Sequence, residues 1–106
     1  MTVDRLCEKL SLTAINQEED RAVKGVFCCD LLSVAMARAP EDFAWVTVIG
    51  NANTVAVATL TDVACIVLAE GFSFDAAAVS AAKGKIALLR SDNPVYQTAV
   101  SIGDLL

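Results

Sequence analysis

Apolar positions in this chain recur at two periods, and the alternation between them outlines a fold. Val3, Leu6, Cys7 and Leu10 follow Thr2 at helical spacing, so a capped first helix with one apolar stripe is expected. Leu12 to Ile15 reads as a short strand, the polar run Asn16 to Arg21 as a turn, and Val23 to Cys29 as a second strand interrupted by Gly25. Asp30 is placed to cap a helix through Leu31, Leu32, Ala35 and Met36, which Pro40 stops. Phe43 to Ile49 is rich in β-branched and aromatic residues and ends at Gly50, which predicts a strand.

Thr54 to Leu60 admits two readings. It is either a second strand closing a hairpin across Gly50 to Asn53, or a helix capped by Asn53. The next apolar run, Ala64 to Leu68, is a buried strand, and a parallel neighbour needs a crossover helix at this point, which favours the helix. Asp75 to Lys83 is alanine-rich and runs into Gly84, a helix with its stop signal. Ile86 to Leu89 makes a short apolar strand. Asn93 and Pro94 open a last helix on which Val95, Ala99, Ile102 and Leu106 share a face. Unbroken apolar strands alternating with helices predict an α/β fold: a mostly parallel sheet of about four to five strands with helices on both faces.

Composition narrows this. A chain of 106 residues, 56% hydrophobic, holds one core, so residues 1–106 are expected to form a single domain. Eight basic and 13 acidic residues leave a net charge of −5, a field that repels phosphate backbones and anionic lipid, so neither nucleic acid nor membrane is an expected partner. The uncharged stretch Phe43 to Thr61 contains Gly50, Asn51 and Asn53 and reads as core with an internal turn. Asp4, Arg5, Glu8 and Lys9 stand where an export signal needs its apolar centre, which points to a cytoplasmic protein.

Cys7, Cys28, Cys29 and Cys65 form no C-x-x-C pair, and the chain has no histidine, so no metal site is expected. Neighbouring strand residues point to opposite faces, so Cys28 and Cys29 are poorly placed to share an ion. The absence of histidine also excludes Ser-His-Asp and Cys-His nucleophiles. Neither a phosphate-cradling G-x-x-x-x-G-K-[ST] loop nor a G-x-G-x-x-G turn is present. A non-enzymatic role is therefore expected, with no catalytic residues and no resident cofactor.

In a parallel sheet the strand ends that feed helices meet on one edge, where small ligands bind. Three such junctions carry polar groups: Cys29 to Ser33, Gly50 to Asn53, and Glu70 with Gly71. Asp30 and Asn53 serve equally well as helix caps, Gly50 and Gly71 as turn residues with positive φ, and Ser33 and Glu70 as solvated surface. A phosphate at this rim would meet Asp30 and Glu70, so Arg21, Lys24 or a bound cation would have to offset them.

The segment Asp20 to Ser33 resembles the signature of the DRTGG domain family, with Asp20, Arg21, Gly25, Asp30, Leu31, Leu32 and Ser33 in matching places. Ile49 to Ala58, with Asn53 and its Val-Ala-Val-Ala run, is similar as well, as is Ala69-Glu70-Gly71 before an alanine-rich helix. Ala22-Val23-Lys24 departs from the family's T-G, and Cys29 stands where serine is usual. The resemblance implies an α/β/α fold like the N-terminal domain of HPr kinase and the middle region of bacterial phosphotransacetylases, and it favours a helix at Thr54 to Leu60. It implies a regulatory domain and not a catalytic centre. With the convergence of the three polar junctions, the expectation is a sensor domain that binds a small metabolite, a nucleotide or another small phosphorylated ligand through Asp20, Arg21, Gly25, Asp30, Ser33, Asn51, Asn53, Glu70 and Gly71. The apolar surplus of so small a chain adds the expectation of a homo-oligomer, a homodimer. The alternative implied is an accessory protein, iron-sulfur or docking, of an iron-only hydrogenase system.

Overall fold

A computed structural model describes residues 1–106 and gives ten elements in chain order: α1 (Val3–Leu10), β1 (Thr13–Asn16), β2 (Gly25–Cys28), α2 (Leu32–Arg38), β3 (Phe43–Thr47), α3 (Ala52–Thr61), β4 (Cys65–Leu68), α4 (Ala76–Ala82), β5 (Ala87–Arg90) and α5 (Val95–Gly103). The strands form one five-stranded sheet in the order β1-β5-β4-β3-β2. β2 to β5 run parallel, and β1 joins the β5 edge antiparallel with a register shift between Ala14 and Asn16. The expected α/β architecture is present, and the ambiguous Thr54 to Leu60 segment is helix.

Alternation along the strands separates the core into two layers. Val46, Cys65, Val67 and Leu89 point to one face and pack with Val3, Leu6 and Ile102 of α1 and α5. Trp45, Ile66 and Leu88 point to the other and pack with Ala35, Val55, Ala58, Ala78 and Ala82 of α2, α3 and α4. The central strand β4 is buried along its whole length, which is why its sequence shows no polar alternation. Trp45 is fully buried, and its indole Nε1 donates to the Cys29 carbonyl at 3.0 Å, so its one polar atom is satisfied inside the core.

The stripe on α1 behaves as expected: Val3 and Leu6 are buried, and Thr2 Oγ1 accepts from Arg5 N at 3.3 Å. Ala39, the residue before Pro40, is extended and ends α2. Three expectations need correction. The strand expected from Val23 begins only at Gly25. The α3 cap is Asn51, whose Oδ1 accepts from Thr54 N at 3.0 Å, while Asn53 lies inside the first turn. The last helix ends at Gly103, so Leu106 falls off its apolar face and Leu105 packs on the core instead. No helix is long and apolar enough to cross a membrane, because Gly50 and Asn51 divide the uncharged stretch into β3 and α3.

Candidate functional site

The carboxyl ends of β2, β3, β4 and β5 lie along one edge and are tied to one another. Asp30, just past β2, accepts from Thr47 Oγ1 at 2.8 Å and from Val48 N at 3.0 Å, both at the end of β3. Thr47 is fully buried, so this carboxylate satisfies a hydroxyl that would otherwise be stranded. Asp30 was expected to cap α2. It clips two strand ends instead, and Leu31 occupies the cap position without a side-chain bond.

Glu70 and Gly71 form the corner after β4, both with positive φ, 64° and 72°. That conformation suits glycine at 71 and is held at Glu70 by its bonds: Glu70 N donates to Asn93 O, and Glu70 Oε2 accepts from Val95 N at 2.9 Å, capping α5. Gly50 has no positive φ; it is small because a Cβ there would come within 3.0 Å of the Leu68 side chain and the Ser73 carbonyl.

Arg90, which closes β5, adds a residue to this edge that no sequence pattern marks. Its guanidinium donates to the carbonyls of Gly71 and Phe72 at 2.7 and 2.9 Å and pairs with Asp92 at 3.4 Å, bringing positive charge to this edge. A lone arginine at a strand end carries no sequence signal, since its partners lie 18 and 19 residues away. Ser33 and Asn53 sit in the first turns of α2 and α3, exposed and without a side-chain hydrogen bond in the chain.

Asp20, Arg21 and Gly25 stand at the opposite end of the sheet, because the length of β2 separates them from Asp30. Arg21 pairs with Asp42 at 2.6 Å and Asp62 at 3.0 Å and donates to the carbonyls of Asp62 and Val63. Asp42 and Asp62 both have positive φ, at the turns that enter β3 and β4, so Arg21 fastens two strained corners at once. Burial disfavours the Arg21 charge, but the Asp42 and Asp62 hydrogen bonds outweigh it and raise its pKa further. Hydrogen bonds from Arg21 and Lys24 in turn hold the Asp42 carboxyl below its usual range. Asp20 Oδ1 accepts from Asp4 N at 3.0 Å, and Gly25 pairs with Phe43, whose ring a Cβ at 25 would strike. Arg21 and Lys24 therefore cannot neutralise a phosphate beside Asp30 and Glu70.

Three thiols are held in the protonated form. Burial pushes Cys65 up to about 12, while Cys7 and Cys28 are raised first by burial and then by nearby carboxylates, Asp4 and Asp30 foremost. No group of three or more His, Cys, Asp or Glu side chains converges as a metal site requires. Surface depressions lie away from the carboxyl edge: one of about 310 Å³ between α1, β1 and β5, lined by Val3, Cys7, Asn16 and Leu89; one of about 220 Å³ beside Arg21 and Ile86; and one of about 260 Å³ between α3 and α4. The carboxyl rim is thus a shallow surface.

A scan against protein-family models finds no match to this chain, and no curated protein sequence matches it.

Proposed function

We propose that this chain is a non-catalytic regulatory domain of the DRTGG kind, with the layered fold of the HPr kinase N-terminal domain, that binds a small metabolite or nucleotide at the carboxyl rim and acts as a homodimer. The observation that carries this reading is the pairing of uncommitted and committed groups at one edge. Asp30 is spent on clipping β2 to β3, and Asn51 and Glu70 on capping α3 and α5, which fixes the frame. Ser33 and Asn53, in the first turns of two helices, keep their hydrogen-bonding capacity for something outside the chain, and Arg90, paired with Asp92, stands at the same edge of the sheet. The proposed ligand set accordingly contracts to Ser33, Asn53, Gly71 and Arg90, framed by Asp30, Asn51 and Glu70, while Asp20, Arg21 and Gly25 belong to the scaffold.

The reading as a hydrogenase accessory protein draws on the four thiols. None of them joins a group of three or more metal-ligating side chains, which favours the regulatory reading over it.

Thermal unfolding with adenine nucleotides and acetyl phosphate tests the proposal. A ligand at a hundredfold excess over its Kd contributes about 2.7 kcal/mol, a Tm rise above roughly 10 °C for a chain of this size. The rise is expected in the wild type and lost in Ser33→Ala/Asn53→Ala, whose unliganded Tm is unchanged. Equal stabilisation of both proteins, or none in either, counts against the rim.

A further inference from the structure

The helices on the two faces of the sheet differ in charge. α1 carries Asp4, Arg5, Glu8 and Lys9 and packs beside α5, whereas α3 and α4, which pack against each other on the opposite face, have no charged residue in either. Between α3 and α4 runs a groove of about 260 Å³ lined by Ala52, Ala56, Leu60 and Ala81, with Lys85 at one end. Thr59 lines it as well, but its hydroxyl donates to the Val55 carbonyl at 2.9 Å and is spent on its own helix. Leu60 is 72% exposed, the most exposed large aliphatic side chain of the protein. An uncharged face is thus presented by a chain whose net charge is −5.

The two ends of this face have opposite charge. α3 and α4 both cross from the carboxyl edge of the sheet to the amino edge, so they run in the same direction. Their caps, Asn51 and Asp75, are level, because Asp75 N donates to the Gly50 carbonyl at 2.9 Å. Asp75 therefore marks an acidic end, and Lys83 and Lys85, just past α4, mark a basic one. Neither lysine makes an ion pair within the chain.

We infer that this α3–α4 face is the surface through which two copies of the chain associate, their helices antiparallel about a twofold axis that crosses them at Ala56 and Ser80. This deepens the homodimer in the proposed function and rests on it, independently of the ligand. Ala56 and Ser80 each lie five residues past their caps, so one axis at right angles to both helices passes through the two positions. Both residues are exposed and small. Such an axis sets each helix against its own counterpart, so Leu60 of each copy lies over Ala52 of the other, a large side chain on a small one. It also sets Lys85 opposite Asp75 of the second copy, and the match repeats by symmetry. A parallel arrangement would instead gather all the lysines at one end and both Asp75 side chains at the other, so charge selects the antiparallel one. Two chains of net charge −5 repel at long range, and this face lets them meet without setting acid against acid.

Sedimentation equilibrium of the wild type, Ala56→Glu and Lys85→Glu tests this. The wild type is expected at twice the 11.1 kDa chain mass. Ala56→Glu sets like charges against each other at the axis and should weaken association roughly tenfold or more. Lys85→Glu removes the surface ion pairs at both ends of the interface and should weaken it about fivefold. Both positions are exposed, so far-UV circular dichroism should be unchanged. Mild oxidation of Ala56→Cys gives a readout that does not depend on weakening the dimer. The two thiols introduced at the axis should join in a disulfide-linked dimer, to a far greater extent than the wild type cross-links. A dimer that persists undiminished in Ala56→Glu, with Ala56→Cys no more cross-linked than the wild type, overturns the α3–α4 face and leaves the dimer itself standing. A wild type that stays monomeric at the highest soluble concentration overturns both.

Discussion

At the amino end of the parallel strands, Arg21 is enclosed by Asp42, Asp62 and two backbone carbonyls, whereas at the carboxyl end Ser33 and Asn53 sit in first helical turns with nothing in the chain to bond. Both ends carry acids and an arginine, yet one closes upon itself and the other faces outward. The difference lies in the connections. Chain arriving at the amino end comes from helices through tight turns with positive φ at Asp42 and Asp62, and something must hold those turns. Chain leaving the carboxyl end enters helix first turns, whose N–H groups find no partner within their own helix. A segment that looks like one motif, Asp20 to Ser33, is thus divided by β2 into a structural half and a candidate binding half.

Three substitutions sharpen or break this contrast. Arg21→Ala should have the largest effect, because it removes charge-assisted bonds to two turns and two carbonyls. A loss of about 2–3 kcal/mol is expected in urea unfolding, without any change in ligand response. A loss of ligand response in folded Arg21→Ala would reunite the two halves.

Asp30→Ala should cost less, about 1–2 kcal/mol, by leaving the buried Thr47 hydroxyl without its acceptor. An unchanged urea midpoint would show that the clip between β2 and β3 carries no weight.

Asp42→Asn should have the smallest effect and the clearest pH signature. The Asp42 pKa is lowered in the folded chain, so its stabilisation is complete above the unfolded carboxyl value of about 3.9 and is lost as pH falls through the folded value. The variant's Tm is expected below the wild type's at pH 7, with the gap closing below about pH 4. A gap that persists in acid would place the effect in the backbone turn and not in the charge.

Much of this fold is legible in the residues. Ala64 to Leu68 and Ile86 to Leu89 are apolar throughout because both faces of a covered parallel sheet are buried, and Asp75 with Gly84 marks both ends of α4. Thr54 to Leu60 was readable only through its neighbours, since its apolar alternation fits a strand and its burial on two sides fits a packed helix. The caps of α2 and α3 are illegible in the residues for a related reason. Asp30 and Asn53 stand one residue before or two after the residues that actually cap, and which oxygen reaches which N–H depends on where β3 lies. The Arg21 clamp spans 21 and 41 residues, and Arg90 reaches the β4 corner; neither leaves a local pattern.

Amide chemical-shift mapping bears most directly on the division between the two ends. An isotope-labelled chain is titrated with adenine nucleotides and acetyl phosphate, one ligand at a time. Shifts that gather at Ser33, Asn53, Gly71 and Arg90 while Arg21, Asp42 and Asp62 stay fixed are predicted. Shifts confined to the Arg21 end, or a spectrum that no ligand of either class moves, would contradict the account.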